Sequence, residues 1–468
     1  MFRKSITRTP PGVGATLAAV CVVQFLVSLD LSIVNIAIPY IADGLGFDGA
    51  EVTWVVHAYA IAFGGLLLVG GMLADRFGDR RVLIRGAIVF AVASLLAGLA
   101  QTPIHLVAAR GLQGLGAALM APAALAALTA AFPAGPARAR AFAVWGAMNA
   151  AGGAAGVVVG GVLAELAGWR WVMLANVPMA VVALAFARGG IPAVVRRDTR
   201  RPDLLGGLLV TAGAVALVWS IVGGATHPAA RFAAIAIATL LLAAFVLVER
   251  RRGADAMLRL GLVAQRSVGG ANLCNLLIGA AMASAFYFLS LTLQRVFQAG
   301  PATAGLQVLP FALAVVAGSV LAGRLGGSLR PGVLVTSGAF VTAAGFGGLA
   351  AILTADGTFV ATVLVPSLIA GAGFGMCLGP VVSVATAGAA PHERGVTSGL
   401  LSTSRQLGAA VGLACLGAAA DAVGGGGADP VALASGCAVG FLLCAVLLVV
   451  AGLLSAVLLR QPAAETIA

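Results

Sequence analysis

The sequence predicts an all-α polytopic membrane protein, and three observations predict it. Hydrophobic residues make up 61% of the 468-residue chain and charged residues only 9%, against roughly 25% charged in an ordinary soluble domain. The apolar stretches are about 20 residues long, the length of a helix that crosses the hydrocarbon core. They do not alternate over segments of about 10 residues, as the strands of a membrane barrel would. In lipid only helices or closed barrels satisfy every backbone group, so the pattern predicts helices.

Run length and breakers divide the chain into fourteen spans. They lie near 14–40, 52–74, 82–101, 104–132, 139–167, 171–190, 204–224, 231–249, 267–297, 303–324, 332–354, 358–388, 396–420 and 432–459. The first follows Arg3, Lys4 and Arg8, and no small-residue cleavage site closes a short apolar region there, so it reads as a span and not as a removed leader.

The net charge of +12 is a matter of topology and not of nucleic-acid binding. With both termini on the cytoplasmic side, 23 of the 28 basic residues fall in the cytoplasmic loops and termini, as membrane insertion favours. The opposite loops carry mostly acids: Asp43, Asp48, Glu51, Asp356, Asp421 and Asp429. All but one of the basic residues are Arg, which with abundant Ala and Gly suggests a high-GC bacterial genome. The expected location is the inner membrane of a bacterium. Six cysteines, all inside apolar runs and none in a CxxC pair, read as small buried hydrophobes.

The segment Leu73-Ala74-Asp75-Arg76-Phe77-Gly78 ends the second span, and Leu321-Ala322-Gly323-Arg324-Leu325-Gly326 ends the tenth, 248 residues on. Each copy follows the second helix of a six-helix set. This predicts two homologous halves, 1–190 and 261–468, separated by an inserted helix pair with basic linkers over 191–260. Parallel repeats of this kind are a transporter architecture with the substrate site near the midplane, between the halves.

Asp30 is the one acid deep inside an apolar span. A charged Asp at a helix centre costs about 2.5–3.5 kcal/mol on insertion scales, so it must face the bundle interior or a water-filled cavity. It is either a proton carrier or a structural acid held permanently by an Arg or at a helix break. Arg110 in the fourth span does not deprotonate. It either pairs with Asp30 and its surroundings or snorkels near the end of its helix.

In the loop Gly71–Arg81, Gly71 and Gly78 permit a tight turn and close helix approach. Asp75, Arg76 and Arg80 form either a latch across the gap between the halves or an ordinary turn with topogenic arginines. Gly152, Gly156, Gly160 and Gly161 of the fifth span allow helix backbones to touch, with or without a gating role. Arg405, at the head of span thirteen, reads as an edge anchor, followed by Gly408 and Gly412 in GxxxG spacing. Polar or aromatic type at plausible depth nominates Asn35, Trp54, His57, Tyr59, Gln113, Asn149, Asn272, Asn275, Tyr287 and Gln294 for a substrate pocket, each equally able to be a packing residue. There is no Walker-type phosphate loop, no HExxH, no filter sequence and no Arg ladder, and His57, His105, His227 and His392 are scattered. ATP-driven pumping, metal chemistry and channel function are therefore not indicated, and no cofactor is implied.

These segments resemble the fourteen-span drug:proton antiporter family of the major facilitator superfamily over nearly the whole chain. Gly71–Arg81 is similar to the loop 2–3 motif, with Asp79 where a basic residue is usual. Leu29–Pro39 is similar to the first-span motif, with Ser32 in place of Thr. Arg110–Ala118 is similar to the fourth-span motif linked to proton coupling. Gly146–Leu163 is similar to the fifth-span antiporter motif, with Gly156-Val157 in place of Gly-Pro. Trp169-Arg170-Trp171 with Asn176-Val177-Pro178, and Leu407–Gly417, are similar to segments of the fourteen-span group. The resemblance implies the major facilitator fold, two six-helix bundles plus two inserted central helices. It also implies a non-enzyme that exports amphipathic, often aromatic compounds in exchange for protons, working as a monomer in the lipid bilayer. Some members are expected to use a carboxylate in span ten for dications. Span ten here has none, so the expected cargo is neutral, anionic or singly charged. Two other readings stay open at this level: a proton-coupled uptake symporter for a metabolite, and a non-transporting membrane protein.

Overall fold

The computed structural model describes residues 13–47, 49–132, 136–192, 203–222, 228–253, 256, 260–326, 328–387, 394–424 and 429–459. Fourteen helices among them are long and apolar enough to cross a membrane. They are α1 (Val13–Leu45), α2 (Glu51–Ala74), α3 (Asp79–Gly98), α4 (Pro103–Ala131), α5 (Val144–Leu166), α6 (Trp169–Gly190), α7 (Leu204–Ile221), α8 (Ala230–Arg252), α9 (Arg266–Val296), α10 (Pro301–Leu325), α11 (Pro331–Ile352), α12 (Phe359–Ala385), α13 (Gly399–Gly424) and α14 (Pro430–Leu458).

The sets α1–α6 and α9–α14 pack by one scheme. In the first, α1 lies on α5 and α6, α4 on α2 and α3, and α3 on α6; in the second, α9 lies on α13 and α14, α12 on α10 and α11, and α11 on α14. The two sets meet through equivalent pairs, α5 against α10 and α13 against α2, with α1 touching α9 at one end. Helices α7 and α8 pack on each other, and α7 leans on the seam of α2 and α13. The large apolar core joins residues of both sets, among them Ile33, Ile36 and Ile38 of α1 and Ala285, Phe288 and Leu293 of α9.

Small residues set the close approaches. A Cβ on Gly156 would lie 2.6 Å from the Leu29 carbonyl oxygen, and one on Gly305 would lie 2.6 Å from that of Val157. Backbones in van der Waals contact replace the hydrophobic drive that lipid does not supply. The repeated segments occupy equivalent places: Gly78 follows the end of the α2 helix and Gly326 that of α10. Their backbones differ, with φ +90° at Gly78 and −62° at Gly326, so only Gly78 needs the freedom that glycine provides.

Several boundaries differ from the apolar-run estimate. Helix α1 continues through Pro39 to Leu45, beyond the expected end at 40. The last turn of α9, Thr292–Val296, is π-helical, as is the first turn of α12, Phe359–Leu364. Helix α6 is interrupted at Ala175 between Trp169–Leu174 and Asn176–Gly190. Pro178 has no N–H to offer the carbonyl of Leu174, which breaks the ladder at that turn.

Candidate functional site

Five helices converge on Asp30. The carboxylate and the Arg110 side chain are both sealed from the surface, at 0% and 1% exposure. Arg110 Nη1 donates to Oδ1 at 3.0 Å and to Oδ2 at 2.9 Å, and to Gln113 Oε1 at 2.9 Å. Its Nε donates to the carbonyl of Val55 on α2 at 2.9 Å. The guanidinium also sits 4.4 Å above the ring of Tyr59, a cation–π contact that strengthens where water is excluded. Gln113 Nε2 donates to Ser94 Oγ at 2.8 Å, and that hydroxyl donates to the Phe90 carbonyl at 2.7 Å. Asn176 Nδ2 donates to Asp30 Oδ1 at 2.7 Å.

Local structure explains each placement. Arg110 and Gln113 stand one turn apart on α4 and so share a face. Asn176 opens the second segment of α6, next to the break that Pro178 imposes. The first segment is fixed from two sides. Trp169 lies where a side chain on Gly44 would collide, at 2.5 Å from its Nε1, and Arg170 donates to the Ala100 carbonyl at 3.1 Å. Arg110 is therefore not a snorkelling side chain at a helix end; it is enclosed. Breaking a buried, hydrogen-bonded pair by removing one partner costs about 3–5 kcal/mol. Arg110 holds both carboxylate oxygens of Asp30, and Asn176 holds Oδ1 as well, so the three side chains tie α1, α4 and α6 together through one carboxylate.

Two of the nominated pocket residues, Tyr59 and Gln113, belong to this cluster inside α1–α6 and not to the space between the halves. Trp54 packs on α7 and α13 and makes an edge contact with His57 at 5.7 Å. His57 is fully buried, and neither ring nitrogen has a hydrogen-bond partner among the described residues. Asn149 on α5 accepts from Gln24 at 2.6 Å and Ser28 at 2.5 Å on α1. Asn35 donates to its own helix at Leu31. Asn272 accepts from Ser404, and Asn275 donates to the Leu401 carbonyl, both on α13. Tyr287 packs against Phe288 at 5.6 Å. Gln294 donates to the Ile36 carbonyl at 3.0 Å, across the halves.

The π-helical end of α9 adds two further crossings. Ser290 Oγ, just before it, donates to the Asn35 carbonyl at 2.8 Å, and Arg295 pairs with Asp43 at 2.7 Å. Glu165 of α5 accepts from the Ala302 amide at the start of α10, at 3.0 Å. These bonds join the halves at the end remote from Val13 and Leu458.

At the other end, Gly71 faces Pro122 of α4. Arg76 lies over Phe77 at 5.5 Å, and Arg80 donates to the Arg188 carbonyl of α6 at 2.6 Å. Both contacts stay within α1–α6. The Asp75 side chain lies outside the described residues. Gly152, Gly156 and Gly160 lie against α1, and Gly161 lies against Pro301 of α10.

Sequence reasoning missed Asn176 as a member of the Asp30 cluster, although Asn-Val-Pro at a helix break carried the signal. It also placed Arg405 at a helix edge. The helix begins at Arg394, and Arg405 lies three turns inside it.

The family model described as Major Facilitator Superfamily matches residues 20–413 and 273–467. The cephamycin export protein CmcT of Amycolatopsis lactamdurans is 39% identical over 87% of this chain and 86% of its own length. The puromycin resistance protein pur8 of Streptomyces alboniger is 37% identical over 94% and 90%. Among solved structures, a bacterial homolog of the human lysosomal transporter Spinster, inward-facing and occupied, is similar with a TM-score of 0.69 at 18% identity, over 98% of this chain and all of that one. That likeness is one of fold.

Proposed function

Because the chain belongs to the Major Facilitator Superfamily, whose members are transporters, we propose that it exports small amphipathic compounds, antibiotics among them, in exchange for protons by alternating access. The relatives named for cephamycin export and puromycin resistance support export of such compounds. The single observation that carries the coupling is the sealed Asp30–Arg110 pair with Asn176 on the same carboxylate. Protonation of Asp30 loosens a five-helix junction, and that is a physical route from a proton to a rearrangement of α1, α4 and α6. A proton moving down about 100 mV supplies about 2.3 kcal/mol, comparable with the hydrogen bonds it would exchange.

The protein sits in a bacterial plasma membrane with both termini cytoplasmic, an orientation supported by the arginine-rich loops on that side. The hydrogen bonds joining α1 to α9 and α5 to α10 then close the outer end, which favours a cytoplasm-facing state. Gly71, Asp75, Arg76, Gly78 and Arg80 form the turn that would rearrange as the cytoplasmic end closes, and the α5 glycines give that helix freedom to slide. One chain supplies both halves, so a single copy suffices. The test is growth of an efflux-deficient host on a cephamycin and on puromycin. Wild type raises resistance to at least one, and Asp30→Asn does not; equal resistance from both would overturn the coupling.

A further inference from the structure

Arg405 is a cation in the membrane-crossing part of the bundle that the Asp30 junction does not use. It has neither an ion pair nor a hydrogen-bond partner among the described residues. Its depth is fixed by two neighbours. A Cβ on Gly279 would collide with the Arg405 carbonyl oxygen and lie 3.0 Å from its Cγ, and one on Gly64 would meet Gln406 Cβ at 2.7 Å. Gly279 lies near the middle of α9 and Gly64 near the middle of α2, so Arg405 stands at mid-bundle.

Its direction follows from the helical repeat of α13. Thr403, Gln406 and Ala410 lie on the side packed against α2. Leu401, Ser404 and Gly408 lie on the side packed against α9. Arg405 falls between those sides with Ser402 and Ala409, all three half-buried. Further along, the same stripe carries Leu416 and Ala420 into the core shared with α1 and α9. Arg405 is thus half-buried on the stripe that faces this core, which turns it toward the bundle interior and away from lipid. One to two turns along α9 from Gly279, a small apolar void of about 10 Å³ lies among Met282, Phe286, Phe311, Phe346 and Phe441.

An unpaired guanidinium at that depth stays charged and is costly unless an anion or water meets it. Its planar fork matches a carboxylate through two parallel hydrogen bonds. In a repeat transporter the midplane between the halves is where substrate sits. We propose that Arg405 is the charge-recognition residue of the substrate site, and that the cargo is an amphipathic compound bearing a carboxylate. This rests on the efflux reading and specifies its substrate class. Asp30 cannot take that role for a cation in this state, because Arg110 and Asn176 already occupy it.

The test uses one fluorophore at three charges: dansylglycine, its neutral amide dansylglycinamide, and the cationic dansylethylenediamine. Binding to the purified full-length protein in zwitterionic nanodiscs is read by dansyl fluorescence, and transport is read in inside-out vesicles. Wild type is expected to bind dansylglycine at least about tenfold more tightly than the amide. Arg405→Gln removes that preference without weakening amide binding, Arg405→Lys keeps part of it, and Arg405→Glu turns it toward the amine. Retained amide binding shows that the variants are folded. Equal binding of all three probes by wild type, or an anion preference that survives Arg405→Gln, overturns the carboxylate site alone. Failure of wild type to bind or transport a probe of any charge counts against export of amphipathic compounds as a whole.

Discussion

Asn176 on α6 donates to the Asp30 carboxylate on α1 at 2.7 Å, across 146 residues of chain, and does so from a helix break. The bond ties the sixth helix to the junction that the first four already share. Replacing Asn176 by Ala removes one donor from a carboxylate, a bond worth about 1.5–3 kcal/mol when one partner is charged. The expected outcome is a lower thermal midpoint of the purified protein and slower transport, with substrate KM little changed. A thermal midpoint and a transport rate identical to wild type would show that the bond adds nothing to the junction.

The fold was legible in the sequence because lipid leaves few choices: run length, breakers and arginine placement specify fourteen helices. The Asp30–Arg110 pairing was one of two open readings, since an intramembrane carboxylate and guanidinium each need a partner. Arg405 and the pocket residues were less legible. Depth along an apolar run says nothing about which face of a helix turns inward, and Ala-rich helices carry too weak a periodicity to reveal it. Tyr59 and Gln113 looked like pocket residues for that reason and are committed to Arg110. Trp54 packs on the apolar cluster shared by α2, α7 and α13, and no local pattern encodes the position of α7 against that seam.

Arg110 binds four oxygen acceptors on three side-chain or backbone groups and lies over an aromatic ring, which one ammonium cannot reproduce. Arg110→Lys is expected to lower the thermal midpoint of the purified protein, and Arg110→Gln to lower it more. The larger loss corresponds to about 3–5 kcal/mol for a buried carboxylate left without its partner. Thermal unfolding in detergent, followed by tryptophan fluorescence, gives the order.

The α5 glycines differ in what surrounds them. Gly156 and Gly161 abut carbonyl oxygens of α1 and α10, whereas Gly146 has open space beside it. Gly156→Leu and Gly161→Leu are each expected to destabilise by about 1–3 kcal/mol or more through overpacking, and Gly146→Leu to be nearly neutral. Folded yield and thermal midpoint of the three variants check this.

Arg295 and Asp43 pair across the halves at 2.7 Å. Alternating access requires that contact to open in each cycle. Asp43→Cys combined with Arg295→Cys, in a background freed of the other cysteines, is expected to lose transport on oxidation and regain it on reduction. Unchanged transport with the cross-link formed would mean that this end stays closed throughout the cycle.

The central claim is that export is driven through Asp30, and proton flux tests it most directly. In inside-out vesicles carrying wild-type protein, addition of a substrate identified by the resistance screen should alkalinise the lumen as substrate enters and protons leave. Asp30→Asn, present at equal folded amount, should give no proton movement. Acidification of the lumen by wild type, or the same proton flux from Asp30→Asn, would contradict the account.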